Sequence, residues 1–141
     1  WLDTGKLGCL GGGTGFAMAA KLARPDKQVL IVHGDGSFGL NGMEFDTMVR
    51  HNIPVVSVIG NNRAWMPIVD GDPGLARHLG RARYDKMVEA LGGHGEFVER
   101  PRQIRPALKR AFDSGLPAAV NVMLDQKAGY FHVTSSLGAP G

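Results

Sequence analysis

Val29-Leu30-Ile31-Val32-His33-Gly34-Asp35-Gly36-Ser37-Phe38 is a short apolar run that ends in a glycine-flanked carboxylate. Four consecutive aliphatic residues followed by a turn read as a strand buried on both faces, the pattern of a parallel sheet. A second run, Val55-Val56-Ser57-Val58-Ile59, opens after Pro54 and ends at Asn61-Asn62. Twenty-four residues lie between Gly36 and Asn61, room for a helix, so the two runs make one βαβ unit. Its parallel strands end at the same edge, which places a carboxylate and a carboxamide side by side. Hard oxygen ligands beside a glycine-rich turn suit Mg²⁺, which takes near-octahedral oxygens at about 2.0–2.1 Å and draws part of its shell from phosphates. The spacing therefore reads as a site for a metal-held diphosphate. Taken alone, Gly-Asp-Gly is more often an ordinary turn in which Asp bonds its own backbone and Gly supplies positive φ.

Working outward, Gly11-Gly12-Gly13 leads into a small-residue helix, Thr14 to Ala23, stopped at Arg24-Pro25-Asp26. Between the two strands, Met43, Phe45, Met48 and Val49 give one helix an inward face, with Ser37 or Asn41 as its cap. Residues 61–80 are rich in Gly, Pro, Asn and Asp and read as a loop; loops this long in compact domains are more often functional than idle. Tyr84 to Leu91 has helical spacing ended by Gly92-Gly93, and Glu96-Phe97-Val98 is a short strand. Pro101 opens a helix to about Asp113 with Ile104, Leu108, Ala111 and Phe112 inward. Ala118 to Leu124 is a last apolar strand. The alternation predicts an α/β fold, a doubly wound parallel sheet flanked by helices, with ligands at the carboxyl ends of the strands. One domain is expected over residues 1–125, followed by a tail over 126–141 that is flexible or continues. A first residue that is Trp1 rather than methionine, together with that tail, leads us to expect part of a longer polypeptide.

Composition narrows the function. At 141 residues with 43% hydrophobic and 21% charged content, the chain can bury one ordinary core. The formal charge of +3 is small and scattered, with no dense Lys/Arg run, which argues against nucleic acid. The single Cys9 allows no internal disulfide and fits a reducing, cytoplasmic compartment. No apolar run approaches the roughly 20 residues needed to cross a bilayer, and no segment of these residues reads as a signal peptide, so no membrane partner is expected.

The whole arrangement, strand, Gly34-Asp35-Gly36-Ser37-Phe38, helix, Ile53-Pro54, strand, Asn61-Asn62, resembles the diphosphate-binding domain of thiamine-diphosphate-dependent enzymes. The resemblance runs from Trp1 to about Leu124. Gly8-Cys9-Leu10-Gly11, Gly15-Phe16-Ala17, Gly42-Met43-Glu44-Phe45-Asp46-Thr47 and Arg50-His51-Asn52-Ile53-Pro54 are similar to the branch that holds 2-hydroxyacyl-CoA lyases, oxalyl-CoA decarboxylase and acetolactate-synthase-like proteins. The resemblance implies thiamine diphosphate and Mg²⁺ as cofactors. It implies Asp35 and Asn62 as metal ligands through side-chain oxygens and Ala64 through its carbonyl. Gly34 to Ser37 would form the diphosphate turn, with N–H groups from Gly36 and Ser37. The Gly8 carbonyl and Leu10 amide would meet the aminopyrimidine, and the Leu10 side chain would hold the cofactor bent so that its two rings approach. The alternative for Leu10 is a plain core leucine.

The resemblance further implies a carbon–carbon lyase or ligase, foremost 2-hydroxyacyl-CoA cleavage to formyl-CoA and an aldehyde or the reverse condensation, with acetolactate-type decarboxylation and carboligation as the alternative. The activating glutamate belongs to a pyrimidine-binding domain outside these residues, in the same longer chain or a partner subunit, and a homo-oligomer is expected. Without that domain, a non-catalytic cofactor-binding subunit is the rival reading. Gly11-Gly12-Gly13-Thr14-Gly15 superficially matches a dinucleotide fingerprint but lacks a preceding strand and a well-spaced acidic strand end. Glu44 reads as structural. His33 adjoins the site without a catalytic role, and the remaining histidines lack metal-ligand spacing. Trp65 and Met66 are candidates for the substrate pocket or for loop packing; Arg77, Arg81 and Arg83 are candidates for an anionic CoA tail or a solvated basic loop.

Overall fold

The computed structural model describes residues 1–3, 5, 8–65 and 77–127. Helix α1 spans Gly12–Ala23, and strand β1 spans Leu30–Gly34. Helices α2 (Asp35–Asn41) and α3 (Glu44–Arg50) lead to strand β2 (Val56–Asn61). Then follow α4 (Tyr84–Ala90), β3 (His94–Val98), a 3₁₀ turn (Pro101–Gln103), α5 (Ile104–Asp113) and β4 (Ala118–Met123). All strand pairs are parallel, in the order β1-β2-β4-β3. The expected parallel α/β architecture is present. No helix among the described residues is long and apolar enough to cross a membrane.

The core has two halves because a parallel sheet must be covered on both faces. On one face Ala17, Phe38, Phe45, Met48 and Val88 from the first four helices pack with Ile59 and Ala119. On the other, Ala107 and Ala111 of α5 pack against Val56, Val98, Val120 and Val122. The inward side of α5 is as the spacing predicts, with Ile104, Leu108 and Phe112 joining it.

Three expectations are corrected. β1 is not buried on both faces: Leu30 is 44% and Val32 65% exposed. They share a face with Val56 and Val58 by register, and on that side α5 packs over β2, β3 and β4 rather than over β1. The helix between β1 and β2 is two helices. Phe45 and Asp46 donate only three residues back, to the Gly42 and Met43 carbonyls, and this tighter turn interrupts the α-helix. Met43 consequently points outward, 65% exposed. Neither Ser37 nor Asn41 caps: Gly34 precedes α2 and Met43 precedes α3, with no side-chain cap at either. Gly92-Gly93 ends α4 as read, Gly92 at φ +94 and the Gly93 N–H bonded to the Val88 carbonyl at 2.9 Å.

Candidate functional site

The site is built where β1 and β2 end. Gly34 lies in register with Gly60, so Asp35 and the Asn61-Asn62 pair leave the sheet as neighbours. Helix α2 starts on Asp35 at once, where the first N–H groups have no intrahelical acceptor. Asp35 is 2% exposed. Its Oδ1 accepts the Gly36 N–H at 3.0 Å, while Oδ2 is buried with no hydrogen-bond partner among the described residues. Burial pushes its pKa up, opposed by N–H groups of Gly36, Arg63 and Ala64. A buried carboxylate with one unmet oxygen is costly unless a cation or donor completes it. The residues present thus fit a divalent metal.

The other wall is the loop after β2. Asn62 Oδ1 accepts the Ala64 N–H at 3.2 Å, and Asn61 Oδ1 accepts the Arg63 N–H at 3.1 Å. Arg63 holds φ +62, a left-handed conformation uncommon outside glycine. The ends of the 61–80 segment are paired rather than irregular: Ala64 bridges His78 antiparallel, and Trp65 N–H bonds the Arg77 carbonyl at 2.8 Å. Met66 lies outside the described residues. Trp65 lies on the glycine turn, for a Cβ on Gly36 would sit 2.5 Å from its ring carbons. Gly36→Ala is therefore expected to displace Trp65 at a cost of about 1–3 kcal/mol, read as a near-ultraviolet circular dichroism change with a lowered Tm. An unchanged spectrum and Tm would contradict the contact.

The Gly8–Leu10 segment joins the same end of the sheet. The Gly11 N–H donates to Ser37 Oγ at 3.1 Å, and Asn41 Nδ2 donates to the Gly11 carbonyl at 3.2 Å. Gly11 needs φ +85 for this approach. Leu10, His33, Gly34 and Ser37 line one open groove of about 550 Å³. Leu10 is 56% exposed and stands outside the core of the described residues. Gly8 is exposed, at φ +58.

His33 shares a 2.6 Å hydrogen bond with Ser57 Oγ, and burial pushes its pKa down to about 4, so at neutral pH it is an uncharged wall. Glu44 sits half-buried in the first turn of α3. Of the arginines, Arg81 pairs with Glu99 at 2.6 Å and Arg83 with Asp85 at 2.6 Å; both lie over the Phe97 ring on β3. Sequence reading passed over Asn121 and Asp85, each almost fully buried. An asparagine inside an otherwise apolar strand was the available signal.

The family model described as thiamine pyrophosphate enzyme, C-terminal TPP binding domain, matches residues 1–122. The chain belongs to the thiamine pyrophosphate enzymes. Among its relatives is the acetolactate synthase large subunit IlvG of Mycobacterium tuberculosis (strain ATCC 25618 / H37Rv), 56% identical over 136 residues, covering 92% of this chain and 25% of that one. The 2-hydroxyacyl-CoA lyase of Oryza sativa subsp. japonica is 39% identical over 140 residues, covering 91% and 24%. Among solved structures, the thiamine diphosphate-dependent 4-hydroxybenzoylformate decarboxylase of Rhodococcus jostii RHA1 matches with a TM-score of 0.70 at 26% identity, covering 82% of this chain and 23% of that one. This thiamine pyrophosphate-binding domain thus spans about a quarter of the length of the curated relatives it matches.

Proposed function

We propose that this chain holds the diphosphate of thiamine diphosphate through Mg²⁺ and serves an enzyme that makes or breaks a carbon–carbon bond next to a carbonyl. The observation that carries the reading is Asp35, a buried carboxylate with an unmet oxygen at the end of β1. Asp35 and Asn62 supply side-chain oxygens to the metal, and Ala64 supplies its carbonyl. Beyond Gly34, the backbone N–H groups of Gly36 and Ser37 meet the diphosphate, favoured by the positive end of the first helical turn. The Gly8 carbonyl and Leu10 amide meet the aminopyrimidine. When bound, the cofactor supplies the electron sink for the carbanion chemistry; this chain anchors and orients it. A pyrimidine-binding domain, from the same longer chain or a partner subunit of a homo-oligomer, completes the site with the activating glutamate.

The reaction we propose is 2-hydroxyacyl-CoA cleavage to formyl-CoA and an aldehyde, or the reverse. The 56% identical relative named as an acetolactate synthase favours a second reading, 2-oxoacid decarboxylation with carboligation. Assay of the full-length protein with 2-hydroxyacyl-CoA and with pyruvate separates them. Formyl-CoA release supports the first, acetolactate supports the second, and cofactor binding with neither product leaves a non-catalytic subunit.

Leu10 tests the orientation claim. Because its side chain is exposed in the groove, Leu10→Ala should change stability by no more than about 0.5 kcal/mol. Turnover should fall more than cofactor affinity, since the anchoring contacts stay while the reactive geometry loosens. Equal losses in both, measured by steady-state kinetics and calorimetry, would contradict the role.

A further inference from the structure

Two carboxamides are fully buried in the sheet beside the loop that follows β2. Asn61 ends β2 and Asn121 lies in β4, opposite Ile59, so both project to the same face as Ile59. Unbonded, such groups would be among the costlier ones to bury. Here they bond each other: Asn61 Nδ2 donates to Asn121 Oδ1 at 3.0 Å. Each Nδ2 also donates to the Ala82 carbonyl at 3.2 Å, and Asn121 Nδ2 donates to Asp85 Oδ1 at 3.1 Å. Asp85, in the first turn of α4, is 1% exposed. Arg83 grips it with two nitrogens, Nε to Oδ1 at 3.0 Å and an Nη to Oδ2 at 2.6 Å, and lies 4.1 Å above the Phe97 ring centroid. Burial opposes ionisation of Asp85, but the Arg83 and Asn121 bonds outweigh it and hold the carboxyl below its usual range.

The bonds run from Arg83, just before α4, through Asp85 of α4 and Asn121 of β4 to the end of β2, and the last one lands on the site. Asn61 Oδ1 takes the Arg63 N–H, the residue between Asn62 and Ala64, which holds a left-handed backbone at φ +62. A non-glycine residue keeps that conformation when its surroundings fix it. We propose that Asn121, Asp85 and Arg83 are positioning residues for the metal loop: by locking the Asn61 carboxamide they fix the Arg63 backbone and so the separation of the Asn62 and Ala64 oxygens. An apolar core would fill the same space; a bonded carboxamide pair also sets a direction, as the partners of metal ligands do. The inference rests on the reading that Asn62 and Ala64 bind the metal.

The test uses the full-length protein with Mn²⁺ replacing Mg²⁺ at saturating thiamine diphosphate, free Mn²⁺ being counted by electron paramagnetic resonance. Asn121→Ala is expected to raise the Mn²⁺ dissociation constant about tenfold or more, within the roughly 10–100-fold range for residues supporting metal ligands. Arg83→Lys, which keeps the charge but loses the two-pronged grip, should raise it by a smaller factor and serves if Asn121→Ala does not fold. Asp35→Asn is the control for the underlying reading. If it leaves Mn²⁺ affinity unchanged, the metal site itself is wrong. If Asp35→Asn weakens Mn²⁺ while a folded Asn121→Ala or Arg83→Lys lowers only Tm, the network is structural and the proposal is overturned.

Discussion

Asp35→Asn in the full-length protein is expected to lose thiamine diphosphate while its apo form unfolds at a temperature no lower than that of wild type. The two halves have one cause. Asp35 is 2% exposed with an unmet Oδ2, and burial raises its pKa. A carboxylate whose folded pKa lies above its unfolded value adds stability only below the unfolded value, and that contribution is lost as pH rises through the folded pKa. At neutral pH the ionised group is a liability in the apo protein, so an isosteric amide relieves it. The apo advantage of Asp35→Asn should shrink as pH falls into the carboxyl range. The metal, by contrast, loses its one anionic protein ligand. Cofactor affinity should fall roughly 100-fold or more, about 2.7 kcal/mol, beyond the ~0.5 kcal/mol of an ordinary surface change. Calorimetry for affinity and thermal unfolding of the apo protein from pH 4 to 8 check both. A variant that is simply less stable, with affinity unchanged, would return Asp35 to the role of a turn residue.

The second large effect concerns the 141-residue segment by itself, which is expected to show neither lyase nor carboligase activity until a pyrimidine-binding domain is restored. The groove containing Leu10, His33, Gly34 and Ser37 is open, and among the described residues no carboxylate lines it other than Asp3 near the start of the chain. A positioned acid–base group contributes about 10²–10⁴-fold, so exchange of the cofactor's C2 proton with the segment alone should be slower by that order. Proton exchange followed by NMR, with and without the added domain, measures it. Full exchange by the segment alone would show that the glutamate of a second domain is not needed.

The parallel sheet was legible because β1, β2 and β4 are largely aliphatic runs, and the nearness of Asp35 to the Asn pair because they end two of those runs. What escaped notice depends on long-range placement. β4 lies between β2 and β3, an order that local sequence does not carry, and that order alone brings Asn121 beside Asn61. Leu30 and Val32 look like buried strand residues, yet β1 is one edge of the described sheet and α5 packs over the other three strands. The break between α2 and α3 falls where Gly42 is hemmed in, a Cβ there meeting Phe38 and Met87 atoms at 2.7 and 2.9 Å. Trp65 on Gly36 is a contact between loop and turn that spacing cannot reveal.

The ends of β1 and β2 are proposed to hold a metal bound to the cofactor diphosphate. Anomalous diffraction from crystals of the full-length protein grown with Mn²⁺ and thiamine diphosphate would locate that metal. One Mn²⁺ is expected, coordinated by Asp35 and Asn62 side-chain oxygens and the Ala64 carbonyl, with the diphosphate against Gly36 and Ser37. Manganese bound elsewhere, or a diphosphate away from that turn, would contradict it.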